Sequence, residues 1–155
     1  LLDFGATKSY PAAFRRAIRQ VLGATIDRDE TRVLELTYEM KLVDRREKPA
    51  TVGAYLDMMK KIGEPFLAEN QPFSFGDGDY VKDLRALALR FVGLVEHSAP
   101  ARELIFLNRK LAGMFHLLKD LNVSLDLSAK VTEIFAADLQ DGVTHAPRGD
   151  GSLNT

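Results

Sequence analysis

Residues 1–22 read LLDFGATKSYPAAFRRAIRQVL, and the change of pattern within this stretch decides the fold. Leu1 to Gly5 are apolar, acidic, aromatic and glycine, as at the end of a buried strand passing into a turn. After Pro11, which suits a first helical position, Phe14, Ala17, Ile18, Val21 and Leu22 recur at helical spacing, while Arg15, Arg16, Arg19 and Gln20 fall elsewhere. The spacing predicts a first helix near 11–25, and the rest of the chain continues in helical periodicity.

Asp27 or Asp29 can cap a second helix with Val33, Leu36, Thr37 and Met40 inward, ending in the charged run DRREKP at 44–49. Thr51 can cap a third, with Val52, Tyr55, Leu56, Met59 and Ile62 inward until Gly63 and Pro65 stop it. The segment NQPFSFGDGD, 70–79, reads as a loop. Asp79 then precedes a fourth periodicity through Val81, Leu84, Leu87, Ala88 and Phe91, with Gly93 near its end. A fifth and longest helix runs from about Pro100 to Leu121 with Leu104, Leu107, Leu111, Ala112, Phe115 and Leu118 on one face. Val131, Ile134, Phe135 and Leu139 predict a shorter sixth. The tail at 141–155 has too little apolar content to fold. The expected architecture is all-α: about six helices over residues 1–140, preceded by a strand end, with no internal repeat or sustained heptad.

Composition bounds the function. At 155 residues and 46% apolar content the chain can build one core. Lys and Arg number 21 against 22 acidic residues, a net charge of −1. That balance provides no global field for nucleic acid, which is not an expected partner. With no cysteine, disulfides, thiol catalysis and thiolate metal sites are excluded. No apolar run approaches the roughly 18 residues that span a bilayer, and the N-terminus lacks the basic and apolar regions of a signal peptide. Because the chain begins at Leu1 in mid-motif, that residue is read as a cut or misassigned start.

Among candidate chemistries, Asp3-Phe4-Gly5 comes first. In protein kinases the same triplet presents its aspartate to magnesium; a hard cation wants oxygen ligands, glycine permits the sharp turn and the aromatic anchors it. By chance the triplet occurs in roughly a few per cent of chains this long, and one carboxylate does not make a site. FGDGDY at 75–80 fails as a dinucleotide loop, since Val81 stands where a third glycine belongs. It fails equally as a calcium loop, with Ala88 at the glutamate position. It reads instead as a turn and helix cap. His97, His116 and His145 have no metal-pair spacing, and His116, beside an apolar stripe, reads as a packed or boundary residue. Glu35, Glu39 and Glu103 read as solvated helix faces. Arg148-Gly149-Asp150 lies in the tail. The stretch LALRFVGLV, 87–95, fits core packing first and a membrane or partner contact through Phe91 and Leu94 second.

Taken in order, LLDFGA, EMKLV (39–43), GEPF (63–66), PFSFG (72–76) and LNRKLAGMF (107–115) closely resemble the C-terminal part of the UbiB/AarF/ADCK family of atypical kinase-like proteins. Within it they are most similar to the branch of mitochondrial coenzyme Q proteins and their bacterial relatives. The similarity covers about residues 1–140 and rests on the order and spacing of these segments. It implies the C-terminal part of a protein-kinase-like C-lobe, in an ATPase that supports ubiquinone or other isoprenoid-lipid biosynthesis. By the same resemblance Asp3 matches the magnesium ligand, with Phe4 and Gly5 shaping its turn; the implied cofactors of the intact parent are Mg and ATP.

The family's nucleotide loop, its N-lobe lysine and glutamate, its KxGQ segment, and the catalytic aspartate and metal-binding asparagine before the triplet are expected upstream of Leu1. Phosphoryl transfer needs several groups acting together, so this chain alone is expected to be inactive. Only Ala6 to Tyr10 separate the triplet from Pro11, too few for a long phosphorylated activation loop. Implied partners are the N-terminal part of the same protein, and lipid-biosynthesis proteins or a membrane surface. The implied location is cytoplasmic or peripheral membrane in a bacterium and the mitochondrial matrix side in a eukaryote. The rival reading is a non-catalytic helical interaction or lipid-binding module.

Overall fold

The computed structural model describes residues 10–98 and 102–133, the side chains of 102–108 excepted. Five long helices dominate: α1 (Ala12–Ile26), α2 (Glu30–Glu39), α3 (Pro49–Gly63), α4 (Tyr80–Leu94) and α5 (Arg102–Asp120). Residues 128–133 form a sixth, α6. Two short strands, β1 (Phe73–Ser74) and β2 (Ser124–Leu125), pair antiparallel with Phe73 opposite Leu125. The 70–79 segment, expected to be all loop, therefore holds a strand. Two residues are too few for an alternation to be legible in the sequence. The expected strand end at the Asp-Phe-Gly triplet, the positions Ile134, Phe135 and Leu139 of the expected sixth helix, and the tail lie outside the described residues.

Helix boundaries follow local chemistry. Pro11, with ψ 145°, stands just before α1 as its cap residue, because its fixed φ suits entry to a helix. Between the two candidate caps of α2 the structure selects Asp29, whose carboxylate accepts the Arg32 N–H at 2.9 Å. The expectation for Thr51 is corrected. Helix α3 starts at Pro49 after Lys48, and Thr51, only 1% exposed, instead donates its hydroxyl to the Leu94 carbonyl of α4 at 3.0 Å. Asp79 occupies the α4 cap position without a capping hydrogen bond and sits 3.5 Å from the Lys82 amine.

α3 is the central element, packed on α4 along one side and on α1 along another. Val21, Ala24, Val33, Leu36, Val43 and Tyr55 form the main core, with Phe91 of α4 laid on the Tyr55 ring at 5.4 Å between centroids. Each buried Val or Leu side chain among them contributes about 1.5–3 kcal/mol. Gly63 lets α3 close on α1: a Cβ there would stand 2.9 Å from the Thr25 methyl. Inside this core the Thr37 hydroxyl donates to the Val33 carbonyl at 2.6 Å and shares a 2.9 Å hydrogen bond with the Tyr55 hydroxyl. Burial first of all pushes the Tyr55 phenol up to about 12, against the opposing effect of Thr37.

A second core joins the β pair to α4 and α5. Phe75, Tyr80, Val81 and Phe115 are buried, with Phe73 edge-on to both Phe75 and Tyr80. The predicted face of α5 is narrower than its spacing suggests. Phe115 is buried and Leu111 and Leu118 half-buried, but Ala112 is exposed and the side chains of Leu104 and Leu107 lie outside the described residues. His116, expected at a packed boundary, is exposed. The region is tied back to the turn that follows α3 by Gln71. Its amide nitrogen donates to the Pro65 and Leu67 carbonyls at 2.8 and 3.0 Å, while its oxygen accepts the Leu127 N–H at 2.8 Å.

Candidate functional site

The sequence places its candidate magnesium ligand, Asp3, with Phe4 and Gly5, in residues outside the described part. The residues that follow in the chain from Tyr10 are described. Tyr10 stacks on Phe14 at 5.5 Å with 19° between the rings, and α1 begins at Ala12, so only residues 6–10 link the triplet to the helix cap. Among the described residues no three His, Asp or Glu side chains converge to hold a metal ion. His97 and His116 are exposed and lie on different elements; Asp77 and Asp79 share the turn before α4 and are both exposed. Glu35 and Glu39 are exposed on α2. His145, the Glu103 side chain and Arg148-Gly149-Asp150 lie outside the description.

The most organised polar site is one that the spacing rules do not reveal. In DRREKP, Glu47 is turned inward and only 7% exposed. Its carboxylate accepts the N–H groups of Glu96 at 3.1 Å, His97 at 2.7 Å and Ser98 at 2.7 Å, and the Ser98 hydroxyl at 2.7 Å. Ser98 in turn accepts the Asp44 N–H at 2.9 Å. Burial by itself would raise the Glu47 pKa, but the Ser98 hydroxyl and the three backbone N–H groups outweigh it and hold it down at about 2. This is a carboxylate that buckles the α2–α3 loop to the α4–α5 connection; it is too fully engaged to act as an acid or base. Beside it the Asp44 carboxylate accepts from two guanidinium nitrogens of Arg46, Nε and Nη2, at 2.9 Å each, and those bonds hold its carboxyl well below the usual range.

Two further features bear on what the surface can do. A groove of about 380 Å³ runs between α1, α2 and α3, with Val33, Leu56, Met59 and Leu67 in its walls. Ion pairs Lys60–Glu30 and Arg28–Glu69 stand at its rim. Its one hydroxyl, Thr25, donates to the Val21 carbonyl at 2.8 Å, and its remaining carboxylate, Glu64, is paired with Lys61 at 2.9 Å. The glycine turn of FGDGDY is structural: a Cβ on Gly76 would fall 1.6 Å from the Asn122 side-chain oxygen and 2.8 Å from its Cα, and Gly78 adopts φ 73°.

An all-helical domain with one small β ribbon, and a short link from an acidic triplet into its first helix, defines the class: the helical C-terminal part of a protein-kinase-like C-lobe. The comparisons narrow it. The chain is 32% identical over 117 residues to the rat protein "Atypical kinase COQ8B, mitochondrial", covering 74% of this chain and 21% of that protein. It is 26% identical over 136 residues to the Caenorhabditis elegans "Atypical kinase coq-8, mitochondrial", covering 86% and 18%. Against the Saccharomyces cerevisiae "Atypical kinase COQ8, mitochondrial" the identity is 27% over 140 residues, covering 88% and 27%. No protein-family model matches the chain. The chain belongs to the UbiB/AarF/ADCK family of atypical kinase-like proteins. It spans about a fifth to a quarter of the length of these curated relatives.

Proposed function

We propose that this chain is the C-lobe portion of an atypical kinase-like ATPase that supports ubiquinone or other isoprenoid-lipid biosynthesis, and that Asp3 supplies a magnesium ligand in the intact protein. The observation that carries the reading is similarity to atypical kinases along 74–88% of the chain, joined to a helical frame that begins within a few residues of the triplet. In phosphoryl transfer the protein's work is positioning and charge neutralisation, shared among groups from both lobes. Asp3 would hold the cation, Phe4 and Gly5 would set its turn, and the described helices would provide the rigid base. The nucleotide loop, KxGQ segment, catalytic aspartate and asparagine that the family uses are not among these 155 residues, so the isolated chain is expected to hydrolyse no ATP.

The test is Asp3→Asn in the full-length protein. Mg-dependent ATP hydrolysis should be lost with the far-UV circular dichroism unchanged; undiminished turnover would remove Asp3 from the mechanism. The mitochondrial names of the relatives favour a mitochondrial location if the source is eukaryotic.

A second reading, contact with an anionic membrane surface, is favoured by one specific distribution. The large hydrophobic side chains most exposed among the described residues, Leu89, Val92, Met114, Leu117 and Leu121, belong to α4, α5 and the residue just beyond α5. These two helices carry seven Lys or Arg against three Asp or Glu, in a chain of net charge −1. Apolar side chains among basic ones suit an anionic bilayer surface. No helix among the described residues is long and apolar enough to cross a membrane. The contact residues expected from the sequence are corrected: Phe91 packs on Tyr55 in the main core, and Leu94 is half-buried.

A further inference from the structure

The loop 40–48 concentrates charge, and the structure distributes it unevenly. Its two acids are both engaged: Asp44 is closed by Arg46, and Glu47 is turned inward onto the N–H groups of 96–98. Lys48 is paired with Glu96 at 2.5 Å. Lys41 and Arg45 remain, exposed and without an ion pair among the described residues. They line an open cleft of about 610 Å³ together with Tyr38, Val43, Asp44, His97 and Ser98.

The cleft has two fixed walls. The Arg45 guanidinium lies over the Tyr38 ring, 4.5 Å from its centroid, which restrains a side chain that would otherwise sample many rotamers. Lys41 sits in the left-handed region at φ 57°, where its N–H closes on the Tyr38 carbonyl at 3.1 Å and the next N–H, of Leu42, on Thr37 at 3.0 Å. The last carbonyls of α2 are thereby engaged. The backbone end of a helix repels anions, and here that repulsion is partly masked just where the cations stand. His97 faces them from the α4–α5 connection, held in place through its own N–H on Glu47.

We propose that this cleft is a binding site for a phosphate-bearing anion, with Lys41 and the Tyr38-braced Arg45 as its charge partners and His97 as a third donor. Arg pairs with phosphate oxygens in a planar fork and Lys as a point charge, so together they can share the oxygens of one tetrahedral phosphate group, whether monoester or diester. The site is independent of Asp3 and of any magnesium bound there. Two sources present the same chemistry, free phosphate and a phospholipid headgroup.

The test uses the full chain in EDTA without nucleotide. It is titrated calorimetrically with inorganic phosphate and, separately, with monomeric dihexanoyl phosphatidylglycerol below its micelle concentration. Dihexanoyl phosphatidylcholine serves as the zwitterionic control. Binding of phosphate assigns a soluble ligand; binding of the glycerol lipid but neither of the other two assigns a headgroup. In both cases Lys41→Asn with Arg45→Gln should weaken binding by about tenfold or more. Asn tolerates the left-handed backbone at 41, so the fold is kept, as circular dichroism and an unchanged melting temperature would verify. As a second measurement, the His97 imidazole resonances should shift on titration of the native chain. Binding by none of the probes, or binding undiminished in the folded double variant, overturns the proposal.

Discussion

The Glu47 carboxylate and Ser98 meet twice at 2.7 Å, once through the serine N–H and once through its hydroxyl, across 51 residues of chain. No local rule links these residues. The contact joins the α2–α3 loop to the α4–α5 connection and braces the surface that carries Lys41, Arg45 and His97.

Glu47→Gln keeps the shape but replaces a fully engaged carboxylate with an amide whose NH2 group faces N–H donors. The expected loss is about 2–3 kcal/mol of stability, read as a lower midpoint in urea denaturation. An unchanged midpoint would show that the buckle is not stabilising.

The same residue sets a pH dependence. Its folded pKa lies at about 2, below the ordinary 4.5, so its contribution is fully present above pH 4.5 and is lost as pH falls toward 2. Native protein should lose stability through that window more steeply than Glu47→Gln. Parallel curves would assign acid sensitivity to other groups.

Thr37 and Tyr55 predict an asymmetry. Tyr55→Phe leaves the Thr37 hydroxyl bonded to Val33 and costs about 1 kcal/mol, whereas Thr37→Val strands the buried Tyr55 hydroxyl and costs about 2 kcal/mol or more. Thermal melts of the two variants give the order directly, and the reverse order would refute this account of the bond.

Three glycines should behave differently. Gly76→Ala would set its Cβ 2.8 Å from the Asn122 Cα, a backbone clash that no side-chain rotation relieves, and is expected to destabilise by about 2 kcal/mol or more. Gly53→Ala and Gly113→Ala, inside α3 and α5 with open space at the added carbon, should each stabilise by about 0.5–1 kcal/mol. Melting temperatures that rise for Gly76→Ala would contradict the packing at Asn122.

For the membrane reading, Leu89→Gln with Leu121→Gln should leave the melting temperature unchanged and reduce co-sedimentation with phosphatidylglycerol vesicles. Phe91→Gln should instead lower stability by about 3 kcal/mol, because it removes a ring packed on the main core. Equal vesicle binding by native and double-variant protein would dismiss the α4–α5 face.

The chain's own order of residues determined the helices, their approximate limits and the family. Apolar spacing in α1 to α5 is a property of near neighbours, and segments such as EMKLV and LNRKLAGMF keep their order whatever they touch. It also pointed to Asp3, by resemblance alone. Only the tertiary structure decided that Glu47 faces inward, that Thr51 ties α3 to α4, and that Phe91 packs on the core while Leu89 and Val92 are exposed. A helical period marks which side chains share a face. It cannot say which face meets a neighbour, or which distant N–H groups a carboxylate will find, because those partners are chosen when packing brings separate loops together.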